Sequence, residues 1–226
     1  MDTRINLAGV ELKNPVMTAS GTFGSGEEYS EFVDLNRLGA VVTKGVANVP
    51  WPGNATPRIA ETKCGMMNAI GLQNPGIDVF CRRDIPFLKQ FDTRIIVNVC
   101  GRTTEDYCEV VERLADEAVD MLEINISCPN VKEGGIAFGQ NPRAVETITA
   151  EVKKRSRQPV IMKLSPNVTD ITETVSYTHL DVYKRQIVDF LPVATVYKTL
   201  LPVGIILGVG IGFLGSFFTI RKHLKV

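Results

Sequence analysis

The stretch "IIVNVCGRTTEDYCEVVERLADEAVDMLEINI", residues 95–126, decides the fold. It opens on one β-rich run, IIVNV (95–99), and closes on another, LEINI (122–126). In residues 103–120 between them, Tyr107, Val110, Val111, Leu114 and Ala118 share one helical face, with charges on the other. Strand, amphipathic helix, strand at this spacing makes a βαβ unit and therefore a parallel sheet.

The pattern extends both ways. VMTAS (16–20), AVVTK (40–44) and VIMKL (160–164) read as further strands, and NPRAVETITAEVKKRSR (141–157) as a second helix. TDITE (169–173) reads as a capped helix start. The opening INLAGVELKNP (5–15) reads as a small hairpin laid before the first strand. Residues 1–174 are thus α/β protein of βαβ units.

Composition narrows the function classes. The 226 residues carry 25 basic and 25 acidic groups, a net charge of +0, so no nucleic-acid partner is expected. The cysteines are Cys64, Cys81, Cys100, Cys108 and Cys128, no two of them in a C-x-x-C pair. With only two histidines, no metal site is expected on this chain. The odd cysteine count fits a reducing cytosol, and MDTRINLAG lacks a signal peptide's apolar run.

The C-terminal part changes class. TLLPVGIILGVGIGFLGSFFTI (199–220) is uncharged, long enough to cross a bilayer, and bracketed by Lys198 and RKHLKV. Its GIGFLG (210–215) matches G-x-G-x-x-G without the preceding strand, so the match reads as accidental; Gly208 and Gly212 suit close helix packing. VSYTHLDVYKRQ (175–186) belongs to neither neighbour by composition and is expected to break the helix that SPNVTDITET begins.

Polar groups collect where strands end: Lys44, Asn98, Asn125 with Cys128, and Lys163 with Ser165. In a β/α barrel those ends share one mouth. Each alone has a plainer reading, a solvated cap for a lysine or a turn for an asparagine. Two amides suit a flat ring of alternating carbonyl and N–H groups, and two lysines suit a carboxylate or a ring that becomes anionic on reduction. Residues 1–174 contain no histidine, so a base would be Cys128, a lysine or a carboxylate. Gly134, Gly135 and Gly139 after Cys128 would let that loop fold over the site as a lid.

ASGTFGSGEEY (19–29), TPRIAETKCGMMNAIGLQNPG (56–76), INISCPNVKEGGIAFG (124–139) and MKLSPNVTDI (162–171) resemble the catalytic subunits of class 1B, NAD-linked dihydroorotate dehydrogenases, over residues 1–174. The resemblance implies a TIM (β/α)8 barrel, here truncated after about five strands, since a full barrel needs ~250 residues. It implies a cytoplasmic enzyme oxidising dihydroorotate to orotate in pyrimidine biosynthesis, with Cys128 removing the C5 proton. Ser20, Lys44, Gly45, Asn98, Asn125 and Lys163 match FMN-contacting positions. Lys44, Asn68, Ala69, Ile70, Gly71, Leu72 and Asn125 match substrate-contacting positions. It further implies an electron-transfer subunit carrying FAD and a 2Fe-2S cluster, in a heterotetramer built on a homodimer.

The tail from Val196 resembles the last transmembrane helix of the FtsX cell-division permease-like family, and 175–186 resembles a recurrent artefact that joins unrelated reading frames. The expected organisation is therefore 1–174 barrel, 175–186 junction and 187–226 foreign hydrophobic tail. The rival classes are a membrane-embedded permease-like fragment and another FMN- or phosphate-binding barrel oxidoreductase, since fold alone does not fix substrate.

Overall fold

A computed structural model describes residues 2–127, 139–165, 168 and 171–178. Contacts divide the chain into two units, Met1–Tyr183 and Lys184–Val226, and every described residue lies in the first.

The centre is a four-stranded parallel sheet of β3 (Ala40–Val42), β6 (Arg94–Val99), β7 (Met121–Asn125) and β8 (Val160–Lys163), in that order. The register pairs Val42 with Ile96, Asn98 with Glu123, and Asn125 with Lys163. Alternation along the strands gives the sheet two different faces. One face carries Val41, Ile95, Val97, Val99, Leu122 and Ile124, packed in one core with Tyr107, Val110, Val111 and Leu114 of α3 (Thr104–Leu114) and Val145, Ile148 and Val152 of α4 (Pro142–Arg155). The other face carries Ala40, Val42, Ile96 and Met121. Leu12 seals it, from the hairpin of β1 (Ile5–Leu7) and β2 (Val10–Leu12). Burial on both faces explains the near-continuous apolar runs.

Local chemistry sets the element ends. Thr103 and Asp106 form a reciprocal capping box at the start of α3, and the Asn141 side chain caps α4 ahead of Pro142. The hairpin turns at Ala8 and Gly9, both at positive φ (50° and 89°), with the Gly9 N–H donating to Asn6 Oδ1 at 2.9 Å. A second hairpin, β4 (Ile59–Thr62) with β5 (Gly65–Asn68), stands away from the sheet with all eight strand residues exposed. Ile77–Val79 (α1), a π turn at Phe80–Asp84 and Ile85–Leu88 (α2) follow one another before β6.

Three expectations change. VMTAS (16–20) forms a single bridge, Met17 to Ala40, rather than a strand. There the Thr18 hydroxyl takes the place of ladder groups, accepting from Val42 N at 2.8 Å and donating to Val42 O at 3.2 Å. The helix expected over 103–120 ends at Leu114, and Ala118 is exposed. The chain must turn there to enter β7, where the Asp120 carboxylate accepts from Ile95 N at 2.8 Å. Helix α5 (Ile171–Thr178) runs four residues into VSYT instead of breaking at 174. No helix among the described residues is long and apolar enough to cross a membrane, and the apolar run at 199–220 lies outside them.

Candidate active site

Asn98, Glu123, Asn125 and Lys163 follow the alternation of Ile96, Met121 and Ile161, so they continue the hairpin-sealed face toward the C-terminal strand ends. That face is apolar where the hairpin covers it and polar above. The Asn125 amide donates to Asn98 Oδ1 at 3.2 Å, and the Asn98 amide donates to Glu123 Oε1. Lys163 Nζ donates to Ser20 Oγ at 2.9 Å, tying the far edge strand to the segment bridged to β3. Both asparagines are buried, Asn98 completely.

Gly45 follows Lys44 at the end of β3. A side chain there would place Cβ 3.0 Å from Asn98 Oδ1 and 3.3 Å from Cys100 Sγ, so the backbone lies close against the amide. Lys44 is half-buried, and its N–H donates to Gly24 O at 2.8 Å in the ASGTFG loop. Lys44 and Gly45 also border an open cavity of about 710 Å³ that reaches Tyr29, Trp51, Asn74 and Arg83.

The run Asn68 to Leu72 is tied to the Trp51 loop. Ala69 N–H donates to Arg58 O at 2.8 Å, the Asn54 N–H donates to Ile70 O at 3.0 Å, and Gly71 (φ 72°) leaves no room for a Cβ beside Asn54. Leu72, at φ 54°, packs against the buried cluster of Ala47, Trp51 and Cys100. Buried Asn74 joins this run to the cofactor-matching loop: its Nδ2 donates to Gly45 O at 2.6 Å, and its Oδ1 accepts from Gly76 N at 2.9 Å.

The six cofactor-matching positions thus fall into two bonded groups, Ser20 with Lys163 and Asn98 with Asn125, with Lys44 and Gly45 beside the second. Cys128 lies outside the described residues, as do Gly134 and Gly135 of the loop after it. Among the described cysteines, Cys81 and Cys108 are poor alternatives as bases. Burial first, then the neighbouring Glu117 charge, pushes the Cys81 thiol up to about 11, and burial likewise raises Cys108. No group of three or more histidine, cysteine or carboxylate side chains among the described residues could hold a metal.

Sequence reasoning missed Glu123 and Asn74. Glu123 had a readable signal, a charge at an inward position of the strand MLEIN. Asn74 had none, because QNPG reads as an ordinary turn.

A four-stranded parallel sheet joined through helices, with amides and lysines at its C-terminal strand ends, places the chain in the α/β class. The chain belongs to the dihydroorotate dehydrogenase family, whose model matches residues 3–190. It is 70% identical over 173 residues to the dihydroorotate dehydrogenase B (NAD(+)) catalytic subunit of Lachnoclostridium phytofermentans, covering 76% of this chain and 58% of that protein. With the same-named protein of Alkaliphilus metalliredigens it shares 67% over 171 residues, 76% of this chain and 57% of the relative. The chain therefore spans a little over half the length of these curated relatives. Its fold is that of the DHODH of Eimeria tenella crystallised with ferulenol, at TM-score 0.63 and 22% identity, over 80% of this chain and 58% of that one.

Proposed function

We propose that this chain is the greater part of a class 1B catalytic subunit, which oxidises dihydroorotate to orotate in de novo pyrimidine (UMP) biosynthesis in the cytoplasm. The observation that carries this reading is the 70% identity over 173 residues to a protein of that name, together with a family match over residues 3–190 that contains every strand-end polar group described above. The residues present fit the ring of FMN. Gly45 leaves its backbone open against Asn98, where a Cβ would intrude at 3.0 Å, and paired amides and a lysine stand on the same face. Ser20, Lys44, Gly45, Asn98, Asn125 and Lys163 would hold that ring. Bound there, FMN supplies the hydride acceptor.

The residues of this chain do the rest. Lys44, Asn68 to Leu72 and Asn125 orient the pyrimidine, and Cys128 takes the proton from C5. A thiol of ordinary pKa ~8.5 is a workable base near neutral pH once positive charge lies close. Electrons leave to NAD⁺ through a partner subunit carrying FAD and a 2Fe-2S cluster, on a homodimeric core within a heterotetramer. The test is a protein in which residues 1–174 are continued by the C-terminal part of the L. phytofermentans relative. Dihydroorotate should bleach its flavin, and dihydrouracil, lacking the carboxylate, should do so at least ~100-fold more slowly. Equal rates would point to a different barrel oxidoreductase.

We also propose that residues 175–186 join the barrel sequence to a foreign, FtsX-like tail, 187–226, whose run at 199–220 spans a membrane. Matches to the curated relatives above cover 76% of this chain and leave part of it outside them, whereas the family model runs on to 190. Long sequencing reads of the source DNA decide it. They should show no single continuous gene through the codons for 175–186, and an unbroken read would remove the seam.

A further inference from the structure

Glu123 has no part in the roles assigned above, yet it ends a chain of side chains that includes two of the proposed flavin contacts. Its Oε1 accepts from Asn98 Nδ2, Asn98 Oδ1 accepts from Asn125 Nδ2 at 3.2 Å, and Asn125 Oδ1 accepts from Ser127 N at 3.2 Å and Ser127 Oγ at 3.0 Å. The oxygen and nitrogen of an amide are ordinarily interchangeable in such a chain. Here the two ends remove the choice, because a carboxylate can only accept and a backbone N–H can only donate. Both amide oxygens are consequently turned along the chain, and each NH₂ keeps one further N–H. Asn125 Oδ1 is filled by its two Ser127 donors and Asn98 Oδ1 already accepts from Asn125, so the remaining N–H of each amide is the group best placed to meet ring carbonyls and unprotonated ring nitrogens.

We propose that Glu123 is a positioning residue, which anchors the Asn98 amide, and through it the Asn125 amide, so that the pair presents N–H donors to the acceptor edge of the flavin ring. This rests on the reading of Asn98 and Asn125 as flavin contacts. Without the carboxylate, the fully buried Asn98 NH₂ loses its acceptor inside the protein. An unpaired buried donor is costly, so the amide rotates or shifts. The register of β6 against β7 puts Asn98 directly opposite Glu123.

Two measurements on the full chain test this. In the first, FMN affinity is read from quenching of flavin fluorescence in Glu123→Met, Asn98→Ala and the double variant. Glu123→Met should weaken binding about tenfold, as expected for a lost hydrogen bond to a charged group. The double variant should bind no more weakly than Asn98→Ala alone, because the carboxylate acts through that amide. Additive losses, or unchanged affinity in Glu123→Met, would overturn the proposal. Glu123→Gln keeps an acceptor and should stay within about threefold of the parent. A loss as large as that in Glu123→Met would show charge acting instead of amide orientation.

The second measurement needs no flavin. In apoprotein labelled with ¹⁵N-asparagine, Glu123→Met (or Glu123→Ala, if the first does not fold) should shift the side-chain NH₂ signals of both Asn98 and Asn125. Among the described residues the Glu123 side chain bonds Asn98 and not Asn125, so a still Asn125 signal would refute the relay. FMN is titrated in the completed protein as well; if that protein binds none, the flavin reading of the site fails, and the amide signals still decide whether Glu123 sets the orientation.

Discussion

Replacing Cys128 with alanine in the completed barrel should leave FMN bound and orotate binding intact while dihydroorotate oxidation falls ~10²–10⁴-fold, the usual cost of a lost general base. The expectation rests on the family resemblance and on the position of the thiol just past β7, whose last residue, Asn125, belongs to the amide pair. Neither Cys81 nor Cys108 is a ready substitute. Cys81 is pushed up to about 11, and Cys108 is buried on α3 with its thiol likewise raised. Neither supplies much thiolate near neutral pH. Stopped-flow bleaching of the flavin by dihydroorotate gives the rate of the first half-reaction alone. A variant that bleaches at the parent rate makes Cys128 structural. Cys64→Ser, at an exposed hairpin position remote from the sheet ladder, should leave that rate within a factor of about two, the scatter expected of surface substitutions.

How much of this was legible in the sequence depends on what each signal encodes. Periodicity encodes burial, so the sheet order's ingredients were readable: IIVNV and LEINI are strands covered on both faces of a parallel sheet, and VIMKL is its half-buried edge. The opening hairpin was readable too, although its Ala8–Gly9 turn carries alanine at a positive φ that sequence alone would not assign. VMTAS failed because a threonine side chain can imitate a ladder partner, and pattern rules do not see side-chain substitution for backbone. Ala118 failed because helix spacing continues to fit after the chain has turned for β7. At the site, the strand-end residues were legible by position, but their pairing was not. Asn98 with Asn125, and Lys163 with Ser20 across 143 residues, come from register and chain crossing. Asn74 was invisible for the same reason, since its partners Gly45 and Gly76 meet only in three dimensions.

Gly39→Ala should be the most destabilising single methyl among the described residues. A Cβ at Gly39 would stand 2.0 Å from the backbone oxygen of Asn14, 3.0 Å from its carbonyl carbon and 3.2 Å from Oδ1. Asn14 has little freedom to retreat, because its Nδ2 donates to Arg37 O at 2.9 Å and its Oδ1 accepts from Val16 N at 3.0 Å. Gly39 is held as well: its N–H donates to Val16 O at 2.9 Å, and its carbonyl accepts from Arg94 N at 3.2 Å. The added methyl must therefore separate residues 14–18 from β3 or shift β3 against β6. Overpacking of this kind costs ~3 kcal/mol or more, a large share of a domain's ~5–15 kcal/mol. With an m value of ~1–3 kcal/mol per molar, the urea midpoint should fall by about 1 M or more. Gly65→Ala is the control, since nothing lies within 4 Å of a Cβ there, and it should leave the midpoint unchanged within error. The damage should also reach the site, because the displaced segment leads directly to Ser20, the partner of Lys163. FMN binding in Gly39→Ala should weaken at urea concentrations where the chain is still folded. A midpoint equal to that of Gly65→Ala would mean that the close seam between Asn14 and Gly39 is not how this chain packs.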